Sequence, residues 1–238
     1  MSPFVLVHGG GHGGWCWDAV ACRLRQAGNV VHAPTLSGLA ERQDRLSPDL
    51  TLDTHVEDIA SLTVAADLWE VILVGHSYGG MVITGVADRL AGRVGRLVFL
   101  DAAIPADGEC LMDVSPGLLA LADTRELEGV KLGLWPEERV VRGIYGLDDP
   151  GLVSHAMQHL TPHPWRTFET RLHFRDPAGL AAIPRAIINC ANTLARRDPH
   201  LLPRWSAGDF VRTVDGAHDL MLTDPDLVER LLLDIAAL

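Results

Sequence analysis

Ser77 lies in Gly75-His76-Ser77-Tyr78-Gly79, a Gly-x-Ser-x-Gly run. Val71-Ile72-Leu73-Val74 precedes it, and Met81, Val82, Gly85, Val86 and Leu90 follow at helical spacing. A short apolar strand, a tight turn with serine at its apex and a helix together make a nucleophile elbow. The turn is sharp, so the serine takes strained backbone geometry. The flanking glycines leave room where a β-carbon would meet neighbouring backbone. The apex places the hydroxyl at the carboxyl end of a buried strand, beside a helix N-terminus whose N–H groups can hold an oxyanion. Such a serine attacks carbonyl carbon, and it needs a base to do so.

The base is expected on the loop after the last strand, later in the chain than the serine. Asp215-Gly216-Ala217-His218-Asp219 lies there, which makes His218 the candidate base and later acid. A second Gly-rich stretch, His8-Gly9-Gly10-Gly11-His12-Gly13-Gly14-Trp15, follows the first strand. So much glycine after a buried strand means close backbone approach or positive φ. Beside a serine nucleophile it reads as the other half of an oxyanion hole, with donors at Gly10 and Tyr78. The rival reading, a dinucleotide loop, lacks a convincing Gly-x-Gly-x-x-Gly and ribose-binding acid. His8 and His76 flank these turns as supports.

The triad acid is the open position. The loop after the penultimate strand reads Cys190-Ala191-Asn192-Thr193-Leu194-Ala195-Arg196-Arg197-Asp198, with no acid just beyond the strand. Asp198 serves only if the loop folds back. Asp101, at the carboxyl end of the strand after the elbow, is the second candidate, since parallel strand ends converge on one sheet edge; its alternative is a structural carboxylate that ties down a loop. Absence of the acid is the third alternative, and it would favour slow or non-hydrolytic chemistry. His155, His159 and His163 share helical spacing, but Pro162 and Pro164 break that helix and no Glu follows His155. A solvated or cleft-lining cap face is expected there, and no metal or cofactor is expected.

The elements that must position these groups alternate. A strand over 4–7, a helix over 15–27, a strand over 30–34 and a loop over 35–49 come first. Thr54-His55-Val56-Glu57 then matches a capping box, and the elbow strand, its helix and a strand over 96–101 follow. This β-α rhythm implies a mostly parallel sheet of six strands with helices on both faces. From 104 to 183 the rhythm breaks among prolines and no strong buried strand occurs, which reads as an inserted helical cap. Trp135, Trp165, Phe168, His173 and Phe174 are cap residues that could line a cleft, but cap aromatics more often serve packing, and none is taken as a site residue. The order resumes with a strand over 185–190, a helix near 201–207, a strand over 210–214 and a helix opened by Asp224-Pro225. The chain thus divides into a core over 1–103, a cap over 104–183 and the rest of the core over 184–238.

A net charge of −11, with no Lys/Arg run, argues against a nucleic-acid surface. No apolar run reaches membrane-spanning length and no secretory signal is expected at the N-terminus. Cys16, Cys22, Cys110 and Cys190 are unpaired in spacing. The expected setting is therefore cytoplasmic, with reduced thiols and a small-molecule substrate as partner.

These residues resemble the α/β-hydrolase superfamily over nearly the whole chain. The stretches from Phe4 to Trp15 and from Gly75 to Gly80 look like the plant methylesterase and hydroxynitrile lyase group and its bacterial relatives. The resemblance implies an α/β-hydrolase fold lacking the first two sheet strands, a helical cap, and hydrolysis of small carboxylic esters without a cofactor. It also allows a homodimer. By position it makes Ser77 nucleophile, His218 base, and Gly10 and Tyr78 oxyanion donors. Hydroxynitrile lyases of the group carry a lysine after the catalytic histidine and a threonine after the first-strand histidine. Asp219 and Gly9 stand there, which argues against cyanohydrin cleavage. The group's acid falls where this chain has Thr193. Some haloalkane dehalogenases in the superfamily take their acid from the strand end where Asp101 stands.

The expected function is a serine hydrolase of a small ester, lactone or thioester, acting through an acyl-enzyme on Ser77. Its rivals are a cofactor-free lyase, cyclase or decarboxylase run by His218 and Asp101, and a small-molecule binder with vestigial catalysis.

Overall fold

Phe4-Val5-Leu6-Val7 and Val71-Ile72-Leu73-Val74 have no polar position, so neither strand has a face for water. The computed structural model describes residues 2–119 and 122–238; Met1 and residues 120 and 121 of the expected cap lie outside them. In chain order the elements are β1 (Phe4–Val7), α1 (Asp18–Gln26), β2 (Val31–His32), α2 (Leu52–Ala65), β3 (Val71–His76), α3 (Gly79–Arg89) and β4 (Val94–Leu100). Then come α4 (Leu111–Val114), α5 (Pro116–Leu119), β5 (Arg125–Leu127), β6 (Val130–Gly133), α6 (Glu138–Gly143), α7 (Pro150–His159), β7 (His163–Pro164), α8 (Arg166–Glu169) and α9 (Pro177–Ala182). The chain closes with β8 (Arg185–Cys190), α10 (Ala191–Leu194), β9 (Phe210–Val214), α11 (Leu220–Thr223) and α12 (Pro225–Ala236).

Successive strand side chains point to opposite faces, and the two faces bury different partners. Val5, Val7, Val71 and Leu73 pack with Val56 and Ile59 of α2 and Met81, Ile83 and Val86 of α3. Phe4, Leu6, Ile72 and Val74 pack with Val20 and Leu24 of α1 and Val228, Leu232 and Ile235 of α12. Each such buried aliphatic side chain contributes roughly 1.5–3 kcal/mol. The sheet runs β2-β1-β3-β4-β8-β9, and every pair is parallel. Its order reverses between β1 and β3, and the crevice at such a switch point is where ligands bind in open α/β sheets. The Gly-rich loop and the elbow leave the sheet at that point.

Three expectations need correction. Helix α2 starts at Leu52, and its N-terminal turn is closed by Thr51 and Thr54, the Thr51 N–H donating to Thr54 Oγ1 at 3.2 Å, not by Thr54 and Glu57. The segment 104–183 is not purely helical: β5, β6 and β7 form a small antiparallel sheet, with edge strand β5 exposed throughout. The helix near 201–207 is a single 3-10 turn, Leu202–Ser206. The opening of α12 follows expectation, Asp224 Oδ1 accepting the Leu227 N–H at 3.0 Å with Pro225 next. Among the described residues no helix is long and apolar enough to cross a membrane.

Candidate functional site

Ser77 follows β3 with φ +53, a left-handed conformation that costs a non-glycine residue on the order of 1–3 kcal/mol. The strain is held from both sides. The Ser77 carbonyl accepts the N–H groups of Gly80 at 3.1 Å and Ala103 at 2.9 Å. A β-carbon at Gly79 would lie 2.6 Å from the Val7 oxygen, so only glycine lets α3 start this close to β1.

The loop after β1 presses on the serine. A β-carbon at Gly9 would sit 2.8 Å from Ser77 Cβ. His8 fixes the peptide behind it: its Nδ1–H donates to the Gly9 carbonyl at 2.9 Å, and its Nε2 accepts the Leu36 N–H at 3.0 Å. Those roles require a neutral ring, and burial pulls the His8 pKa down to about 3. The Gly9 carbonyl and Gly10 N–H share one trans peptide, so the N–H is directed away from His8. Tyr78 is anchored by its side chain, O–H donating to His55 Nδ1 at 2.9 Å while His55 Nε2–H donates to the Ser37 carbonyl. Among the described residues neither the Gly10 nor the Tyr78 N–H meets an acceptor.

His218 lies between β9 and α11, and its Nδ1–H donates to Asp101 Oδ2 at 2.6 Å. That bond leaves Nε2 as the acceptor nitrogen, buried and without a partner among the described residues. His76 packs on the ring at 4.7 Å and donates Nε2–H to the His218 carbonyl at 3.0 Å. Asp101 stands just past β4 with φ +45 and is 1% exposed. Its Oδ1 accepts the Cys190 N–H at 3.3 Å and lies 3.4 Å from Arg197 Nη2. Burial pushes the Asp101 carboxyl up, but the bond and charge of His218, with Arg197 and Thr193, hold it below the usual carboxylate range. The Arg197 side chain is itself 8% exposed and lies over Trp205, its guanidinium carbon 4.0 Å from the ring centre.

Asp198 is exposed, accepts the His200 N–H on Oδ1, and makes no hydrogen bond or ion pair with His218 among the described residues. Of the two carboxylates considered, Asp101 is the one that meets the imidazole. Thr193, where the acid was expected, flanks Asp101 instead.

Ser77, Asp101 and His218 open on one cavity of about 500 Å³. Ala103, Leu111, Val114, Pro116 and Ile144 give it an apolar wall, and Thr193, Arg196, Arg197 and Asp198 a polar one. The cap aromatics expected to line a cleft do not. Trp165 and Phe168 are buried in the core, Phe168 against Tyr78, and His173 faces solvent. His155 and His159 share an exposed face of α7, whereas His163 is buried, with Nδ1 accepting the Gly11 N–H. Ligand-type atoms of His76, His218 and Asp219 lie within 4.8 Å of one another. Each residue makes a hydrogen bond through one atom, His76 Nε2, His218 Nδ1 and Asp219 Oδ2, while His76 Nδ1, His218 Nε2 and Asp219 Oδ1 meet no hydrogen-bond partner among the described residues. Sequence reasoning missed Arg197 and the pairing of Asp219 with His12, Nε2 to Oδ2 at 2.9 Å. Their sole signals were adjacency to the expected acid loop and to His218.

Residues 4–231 match the profile of the alpha/beta hydrolase family. A "Carbendazim hydrolyzing esterase" of Nocardioides sp. (strain SG-4G) is 50% identical over 187 residues, 79% of this chain and 70% of that protein. A "Probable esterase PIR7A" of Oryza sativa subsp. indica is 36% identical over 107 residues, 44% of this chain and 41% of that one. Among solved structures, a methylesterase from Arabidopsis superposes with a TM-score of 0.81 at 22% identity, covering 100% of this chain and 99% of that one.

Proposed function

We infer the activity from one premise: the chain belongs to the alpha/beta hydrolase family. It is an esterase-like hydrolase of carboxylic esters. The reading in detail is an acyl-enzyme mechanism on Ser77. His218 Nε2 takes the Ser77 proton as Oγ bonds the substrate carbonyl carbon. The Gly10 and Tyr78 N–H groups hold the resulting oxyanion. As the tetrahedral species collapses, the carbon–oxygen bond to the leaving alcohol breaks and Nε2–H gives that alcohol its proton. Water then attacks the acyl carbon with His218 as base, and Ser77 is released. Asp101 holds the tautomer that keeps Nε2 free and stabilises the imidazolium.

The observation that carries this reading is the 2.6 Å bond from His218 to Asp101, with Nε2 unpartnered in the cavity that Ser77 lines. The cavity, about 500 Å³ with an apolar and a polar wall, suits a small substrate with one apolar side and one polar edge. The nearest test compound is carbendazim, the substrate in the Nocardioides relative's name, itself the methyl ester of a heteroaryl carbamic acid. The four free cysteines support a cytoplasmic setting.

The test is pre-steady-state hydrolysis of a 4-nitrophenyl ester alongside carbendazim turnover. A stoichiometric burst of alcohol lost in Ser77→Ala supports the acyl-enzyme. Turnover that survives Ser77→Ala but not His218→Ala would replace it with a lyase or decarboxylase reading. Saturable binding without turnover would leave a binder.

A further inference from the structure

His12 lies wholly buried in the loop that also carries Gly10, with both ring nitrogens on acceptors. Nδ1 is 2.9 Å from the Gly10 carbonyl, and Nε2 is 2.9 Å from Asp219 Oδ2. A carbonyl only accepts, so Nδ1 carries a proton. An ionised carboxylate only accepts, so Nε2 carries one as well. Two protons on one ring make an imidazolium. The Trp15 ring stacks on His12 at 5.4 Å and 24°, which places an aromatic face on the charge.

The pair joins three segments. His12 belongs to the loop after β1 and Asp219 to the loop after β9. Tyr145, just past α6, donates its O–H to the same Gly10 carbonyl at 3.0 Å and accepts the Asp219 N–H on its own carbonyl at 3.1 Å. The Gly10 carbonyl is thus held by two donors, and both are tied to Asp219, the residue next to His218.

We propose that His12 and Asp219 form a buried imidazolium–carboxylate pair that positions the oxyanion loop against the base loop. The role rests on the hydrolase reading, and both residues act through others without touching substrate. The other titratable groups facing the pair are His8, His76, His163, His218, Tyr145, Cys16 and Cys190. Burial keeps His8, His76 and His163 neutral and the phenol and both thiols protonated. Asp219 is the anion that remains against His12. Burial works against both charges, yet Asp219 holds the imidazole above its ordinary range, and His12 holds the carboxyl below its own.

Asp219→Asn separates charge from shape. Its amide can donate to Nε2, leaving a neutral His12 whose Nδ1–H still reaches Gly10. Histidine side-chain ¹⁵N spectra of the whole protein at pH 8 are expected to show one ring protonated on both nitrogens. That signal vanishes in His12→Gln and turns neutral in Asp219→Asn. With the 4-nitrophenyl ester, Asp219→Asn is expected to lower kcat by about tenfold with KM within about twofold. This is a fraction of the 10²–10³ that loss of an oxyanion donor costs. A neutral His12 in the wild type at pH 8 overturns the pair, and an unchanged kcat in a folded Asp219→Asn overturns its positioning role. A doubly protonated ring in a protein that turns over no ester would uphold the pair and overturn the hydrolase reading.

Discussion

Asp101→Asn tests the site at its most informative atom. The carboxylate is fully buried, so no water can replace it against His218. Its Oδ1 accepts the Cys190 N–H and Oδ2 takes the His218 Nδ1–H. An asparagine that keeps its oxygen on Cys190 N–H turns its NH₂ toward Nδ1. Nδ1 must then accept, the proton moves to Nε2, and Nε2 can no longer take the Ser77 proton. The same substitution in a Ser-His-Asp protease costs about 10⁴ in turnover, which at 1.36 kcal/mol per decade is about 5 kcal/mol of transition-state stabilisation. The expected result is a drop of that order in kcat, with the thermal midpoint measured in parallel to show a folded protein. Asp198→Asn, on the exposed rim, is expected to stay within about twofold. A loss below about tenfold in Asp101→Asn, or a large loss in Asp198→Asn, would refute the assignment of the acid.

Gly9→Ala places a β-carbon 2.8 Å from Ser77 Cβ and 2.9 Å from His76 Nδ1; displacing the serine by a fraction of an ångström is expected to cost about 10² in kcat, read from the burst rate. Arg197→Met removes a cation that helps depress the Asp101 pKa. A depressed carboxylate loses its contribution as pH falls through the folded-state value, so the acid limb of kcat/KM is expected to move to higher pH. The His12–Asp219 pair has a raised histidine, lost as pH rises through its folded value, and a depressed carboxylate, lost as pH falls through its own. Melting temperature against pH is therefore expected to show a plateau between the two folded-state values that both Asp219→Asn and His12→Gln lower, with the difference from the wild type shrinking as pH leaves that window on either side.

What could be read in the chain and what could not follow from the range of the interactions. The elbow is local: an apolar strand, two glycines and a helix lie within twenty residues, and periodicity finds them. The Gly-rich loop is local too. The acid is not, because its identity depends on which strand ends adjoin, and β8 separates β4 from β9. Asp101 was found by topology, but the choice over Asp198 needed the 2.6 Å bond. The pairing of His12 with Asp219 spans 207 residues and has no pattern to announce it. In the cap the large aromatics are the residues that stand out, yet Trp165 and Phe168 pack in the core. The wall against the cavity is built from Leu111, Val114, Pro116 and Ile144, residues with no chemical signature. The short strands β5–β7 escaped because β5 is exposed at every position and β7 is two residues long.

The seating of Ser77 against the segment after β4 bears on how the molecule assembles. Ser77 and Asp101 close neighbouring parallel strands joined by one helix, and the Ala103 N–H bonds the Ser77 carbonyl directly. Their spacing is settled inside a single β-α-β unit. His218, the proposed base, is 117 residues from Asp101 and arrives only when β9 adds to β8 at the far edge of the sheet. Distant pairings of this kind form late, because their loop-closure entropy is met before any contact rewards it. A refolding chain would therefore own a buried, strained serine before it owned a proton acceptor. Return of esterase activity then marks the final strand addition, and it should lag any probe that reports burial of the β1–β4 core.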